Sequence, residues 1–132
     1  MLHGECYCGS VSFTVDEESR KGVLCHCVTC QHLNSGCSYN LVSRFDKISV
    51  TSEAQPRSFE DHKTKSGNPI TRYFCDTCGS TLFSHPVDGS VFVKIGSLRE
   101  GKEMALVDQA FEEDALPGLV QKNGPGSPGT DG

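Results

Sequence analysis

The residues in this chain whose types and spacing could do chemistry are its eight cysteines. Cys25, Cys27 and Cys30 crowd together in Leu24-Cys25-His26-Cys27-Val28-Thr29-Cys30-Gln31-His32. One residue separates Cys6 from Cys8 and two separate Cys75 from Cys78, and each pair is followed by a glycine, Gly9 or Gly79. Thiolates are soft anionic ligands, and C-x-C or C-x-x-C spacing lets two sulfurs meet one ion. Cys6, Cys8, Cys75 and Cys78 together supply the closed shell of a structural zinc. Such an ion contributes on the order of 10 kcal/mol to folding. It would tie the start of the chain to residue 78.

Cys25, Cys27 and Cys30 then remain as a cup of three sulfurs. Cys37, His26 or His32 could close it into a second structural site. Alternation along a strand turns His26 away, His32 follows Cys30 at an awkward reach, and Cys37 reads equally well as a core cysteine. Left open, the cup offers a position to water or to a substrate thiol. Three thiolates on zinc leave a net charge of −1, which suits another soft ligand better than water. A free thiol, with a pKa of about 8.5, is only slightly ionised at neutral pH. Held as a thiolate beside an electrophile, it could form a carbon–sulfur bond, or break one in reverse.

The elements that must position these cysteines read as short strands. Val11, Phe13 and Val15 alternate with Ser12 and Thr14, the pattern of a half-buried strand. In that extended reading Cys6 and Cys8 point to one side. Residues 23–27, 37–42, 48–51, 70–75, 80–84 and 90–95 are further strand candidates, and residues 31–36 form a turn or a single helical turn. Residues 52–68 are polar and end in a turn at Lys65-Ser66-Gly67-Asn68-Pro69. Residues 107–116 fit either a strand or a short helix. The pattern predicts a mainly β, single small domain over residues 1–118, followed by a Gly/Pro-rich disordered tail over 119–132.

Composition narrows the function classes. The chain has 132 residues, a net charge of −5, 36% hydrophobic residues and no Trp. A small, weakly apolar domain needs a staple, either disulfides or metal. Met1-Leu2-His3-Gly4-Glu5 lacks the basic and apolar run of a signal peptide, so a cytoplasmic location with reduced thiols is expected. That favours metal. No basic stripe invites nucleic acid, and no stretch is apolar enough to span a bilayer. Arg44, Lys47, Lys63, Lys65, Arg72 and Lys94 are candidates to hold substrate carboxylates, with a solvated face the default for each. Asn40 could face the pocket or the surface, and His85, before Pro86, reads as a turn residue. The oligomeric state is not encoded legibly.

Three segments carry a resemblance. They are Gly4-x-Cys6-x-Cys8-Gly9-x-Val11-x-Phe13, Cys25-His26-Cys27-x-x-Cys30, and Phe74-Cys75-x-x-Cys78-Gly79-Ser80-x-Leu82-Phe83. Together they resemble the glutathione-dependent formaldehyde-activating enzyme family, which includes the centromere protein V domain, over about residues 3–118. The resemblance implies coiled antiparallel β-sheets organised around zinc, of the Mss-four-like type. It implies two zinc ions: a structural one on Cys6, Cys8, Cys75 and Cys78, and a catalytic one on Cys25, Cys27 and Cys30. It implies a carbon–sulfur lyase acting on glutathione and formaldehyde, or on a glutathione adduct of another small electrophile. Ala115 and Gly118 stand where the family often has Arg and Trp, and the run from Gln31 to Cys37 lacks the usual basic residues. Both departures bear on substrate recognition. The competing reading is a non-catalytic zinc module that binds a protein partner or carries glutathione.

Overall fold

The computed structural model describes residues 1–119. In chain order the strands are β1 (Leu2–Glu5), β2 (Ser12–Val15), β3 (Lys21–Cys25), β4 (Ser38–Arg44), β5 (Ile48–Val50), β6 (Arg57–Asp61), β7 (Ile70–Phe74), β8 (Thr81–Pro86), β9 (Ser90–Lys94) and β10 (Ala105–Ala110). One helix, α1 (Val28–Asn34), follows β3, and short 3-10 turns fill several connections. The strands form two sheets, ordered β1-β2-β5 and β10-β3-β4-β9-β8-β7-β6. The mainly β expectation holds, and every strand pair is antiparallel except β10 with β3, which run parallel.

The alternation at Val11, Phe13 and Val15 buries all three side chains. Phe13 meets Phe83 of the large sheet edge-on, with centroids 5.2 Å apart, so the sheets share one core. Burying aromatic rings of this size contributes on the order of 2–3 kcal/mol each. Gly4 is required beside it, because a Cβ there would collide with the Phe13 ring.

Several boundaries differ from the sequence reading, each for a physical reason. Cys6 and Cys8 are not in an extended strand; they sit in the turn between β1 and β2, closed by Gly9 N–H to the Cys6 carbonyl at 3.0 Å. Strand β3 stops at Cys25, and Cys27 begins a helix. Residues 107–116 contain both alternatives: β10 ends at Ala110, and a 3-10 turn follows at Glu112–Asp114. Residues 57–61, polar except for Phe59, form β6, an edge strand with exposed side chains up to Asp61. Leu119, read as the first tail residue, closes a 3-10 turn at Pro117–Leu119. The rest of the tail lies outside the described residues.

Asp61 anchors that edge strand. One of its carboxylate oxygens accepts both Arg72 Nε (2.9 Å) and Arg72 Nη2 (2.8 Å), with both side chains nearly buried. Burial alone would raise the Asp61 pKa, but the Lys63 N–H and Arg72 more than offset it and hold it below the ordinary 3.8. A depressed carboxyl pKa contributes stability that is present above the ordinary value and is lost as pH falls through the folded one. Asp61→Asn is expected to cost about 3 kcal/mol, because it strands a nearly buried guanidinium. In urea unfolding, the gap from wild type should stay constant from pH 7 to pH 5. A gap that shrinks over that range would contradict the assignment.

Candidate metal centres

Two turns, one from each sheet, build the four-cysteine group. Cys6 and Cys8 come from the β1–β2 turn, and Cys75 and Cys78 from the β7–β8 turn. Their four sulfurs all lie within 4.8 Å of one another. Cys6 to Cys8 is 3.6 Å and Cys8 to Cys75 is 3.8 Å. Four sulfurs placed about 2.3 Å from one tetrahedral zinc would be roughly 3.8 Å apart. The donor set and spacing therefore fit such an ion. Both turns are made alike. Gly9 and Gly79 take φ of 81° and 80°, a conformation open to glycine. The Val11 and Thr77 amides each donate to a cysteine sulfur, Cys6 at 3.3 Å and Cys75 at 3.4 Å. Tyr7 N–H donates to Ser80 Oγ at 2.9 Å, stitching one turn to the other.

The second group sits at the junction of β3 and α1. Cys25 ends the strand, Cys27 caps the helix by accepting the Cys30 amide at 3.4 Å, and Cys30 is the one buried residue of α1. The three sulfurs lie within 4.8 Å of one another and could hold a metal ion. All eight cysteines are free thiols. Neither Cys37 nor His26 nor His32 belongs to the three-cysteine group. Burial and the charge on Cys30 push the Cys37 thiol up. Within the group, hydrogen bonds from Cys25 and Ser38 hold Cys30 down to about 5, and the same sharing with Cys30 raises Cys25.

A polar collar fixes this junction, and most of it was not legible in the sequence. His26 is fully buried, with Nε2 2.9 Å from Gln109 Oε1 of β10 and Nδ1 buried without a partner among the described residues. Gln31 Nε2 donates to the His26 carbonyl (2.9 Å) and the Asp114 carbonyl (2.7 Å), pinning the segment after β10 to α1. Gln31 thus serves as a structural clamp here. Ala115 follows that clamp half-buried, and open space surrounds Gly118, so packing does not forbid a larger residue there.

Hollows flank α1. A groove of about 690 Å³ runs between Val28, Thr29 and His32 of the helix and Glu60, His62 and Lys63 opposite. It borders the two residues that separate Cys27 from Cys30 and carries charges of both signs. A smaller cavity of about 270 Å³ adjoins Asn34, Phe59, Arg72, Ser84 and Lys94. A third hollow, about 860 Å³, opens beside Cys6 and Tyr7, and none of the three hollows is lined by Cys25, Cys27 or Cys30. Donor chemistry, not volume, marks the three-cysteine end as the candidate reactive centre. Of the six basic candidates, Arg72 and Lys94 line the small cavity and Lys63 the groove. Lys65 instead sits over the Phe111 ring at 4.8 Å, Lys47 pairs with Glu17 at 3.6 Å, and Arg44 lies beside Gly89. His85 is stacked on Phe45 with ring centroids 4.0 Å apart. No helix among the described residues is long and apolar enough to cross a membrane.

The family profile described as "Glutathione-dependent formaldehyde-activating enzyme" matches residues 1–114. A crystal structure of a Rhodobacter sphaeroides protein, solved as a structural-genomics target, aligns with a TM-score of 0.62 at 16% identity, covering 82% of this chain and 99% of that one. At that identity the likeness is one of fold. No match is found among curated proteins.

Proposed function

The chain belongs to the glutathione-dependent formaldehyde-activating enzyme family, and on that premise we propose that it is a zinc-dependent carbon–sulfur lyase or thiol-addition enzyme. Its substrates are glutathione with formaldehyde, or a glutathione adduct of another small electrophile. Cys6, Cys8, Cys75 and Cys78 hold a structural zinc, and Cys25, Cys27 and Cys30 a catalytic one. The observation that carries this reading is the unequal ligand count: one cysteine group has four sulfurs, the other three, with Cys37 outside it.

When bound at the three cysteines, zinc supplies a Lewis-acidic position that favours a thiol in its thiolate form. The chain's residues do the rest. Cys25, Cys27 and Cys30 keep the centre soft, and so favour sulfur over water. The groove along α1 presents Glu60, Lys63 and His62, charges of both signs suited to a peptide-like thiol carrying carboxylates and an ammonium group. Addition joins the substrate sulfur to the electrophilic carbon, and the thiol proton ends on the former carbonyl oxygen. The atoms balance without a redox partner.

Adding the zinc-loaded protein to glutathione and carbon-13 formaldehyde should accelerate formation of the S-hydroxymethyl adduct, followed by exchange NMR. A rate equal to the protein-free reaction removes formaldehyde as the electrophile. Cys37→Ser should leave the metal content unchanged when measured by atomic emission. Loss of an ion in that variant would mean Cys37 closes the second shell, and the centre would then be structural.

A further inference from the structure

Ser38, Asn40 and Lys94 are buried side by side next to the three-cysteine group. Strand register puts them there. Cys25 of β3 faces Ser38 of β4, Ser38 and Asn40 share a face of β4, and Asn40 faces Lys94 of β9. Lys94 Nζ donates to Asn40 Oδ1 at 2.8 Å, Asn40 Nδ2 donates to Ser38 Oγ at 2.9 Å, and Ser38 Oγ donates to Cys30 Sγ at 3.1 Å.

The direction of this chain is dictated from its far end. An ammonium only donates, so Asn40 must turn its carbonyl oxygen to Lys94. Its amide nitrogen then faces Ser38, whose hydroxyl, already accepting, turns its proton to Cys30. Among the described residues Lys94 has no carboxylate within ion-pair distance, although it is only 9% exposed. A buried cation without a counter-ion is costly. A divalent ion with three thiolates carries one net negative charge, which would be its complement.

We infer that Lys94, acting through Asn40 and Ser38, is a positioning residue that supplies the counter-charge to the three-cysteine centre and draws electron density from Cys30. This rests on the proposed metal at Cys25, Cys27 and Cys30. Hydrogen bonds behind metal ligands commonly govern metal affinity by roughly 10–100-fold, and this relay ends on one sulfur of the three, that of Cys30. Cys30 is thereby the weakest donor of the group, which leaves the ion more receptive to an incoming thiol.

The test uses cobalt in the full chain, with the spectrum of a Cys25→Ala/Cys27→Ala variant subtracted to remove the four-cysteine contribution. Lys94→Met should move the remaining thiolate-to-cobalt charge-transfer band to longer wavelength and weaken metal binding at least roughly tenfold. Lys94→Arg should restore much of the band position. Ser38→Ala should give the same direction of shift, and adding Lys94→Met to it should produce little more. A band unmoved in Lys94→Met, or one that moves as far in the Ser38→Ala background as in wild type, overturns the inference. If Lys94→Met does not fold, Ser38→Ala alone decides by a shift or its absence. Absence of any band from the three cysteines in wild type would instead overturn the metal reading itself.

Discussion

Cys75→Ala is expected to leave the chain unfolded. Cys75 is fully buried, and its sulfur is 3.8 Å from Cys8 and 3.4 Å from Ser10 Oγ. The group it completes joins the β1–β2 turn of the small sheet to the β7–β8 turn of the large one. Losing a ligand would forfeit much of a zinc contribution on the order of 10 kcal/mol, against a net stability of roughly 5–15 kcal/mol for a domain. Truncation also removes a buried side chain from the core cluster that includes Leu82 and Phe83. Circular dichroism and amide NMR dispersion measure the outcome, and chelation of the wild-type protein should reproduce it. A well-dispersed, cooperatively unfolding Cys75→Ala protein would show that the sheets cohere without this ion.

The second large effect is opposite in kind. Cys30→Ala should keep the fold, empty the three-cysteine centre and abolish turnover. The centre lies at the end of β3 and the start of α1 within one sheet, so no sheet-to-sheet join depends on it. The direct stability cost should be about 1 kcal/mol, typical of one small truncation. Locally the loss is greater, because Cys30 is the only buried residue of α1. Amide exchange in Val28–Asn34 should therefore rise while the strands keep their protection. If Cys30→Ala unfolded as fully as Cys75→Ala, the division of labour between the two groups would be wrong.

Much of the site was legible because it is built from local turns. Short C-x-C and C-x-x-C spacing, with Gly9 and Gly79 next in line, predicts converging sulfurs whether the backbone is extended or turned. That is why the cysteines fall into the expected spatial groups although Cys6 and Cys8 lie in a turn. The alternation of Val11, Phe13 and Val15 likewise announces its own burial. Strand β6 carried no such signal, since Arg57, Ser58, Phe59 and Glu60 are all exposed and the strand is defined by its pairing with β7. The parallel β10–β3 pair joins residues more than 80 positions apart, beyond what periodicity reports. Lys94 looked like a solvated lysine because its burial depends on the register of β9 with β4. Ser38 and Gln31 are common polar residues whose roles exist only once β4, α1 and the segment after β10 are brought together.

The open position at the three-cysteine centre is the claim on which the functional reading stands, and it can be observed directly. Protein carrying cobalt in place of zinc is titrated with glutathione while the thiolate-to-cobalt band of Cys25, Cys27 and Cys30 is followed. The account predicts a saturable change in that band as a fourth sulfur enters, absent from Cys30→Ala. A band that stays unchanged at saturating glutathione would contradict it and leave the centre without a place for the substrate thiol.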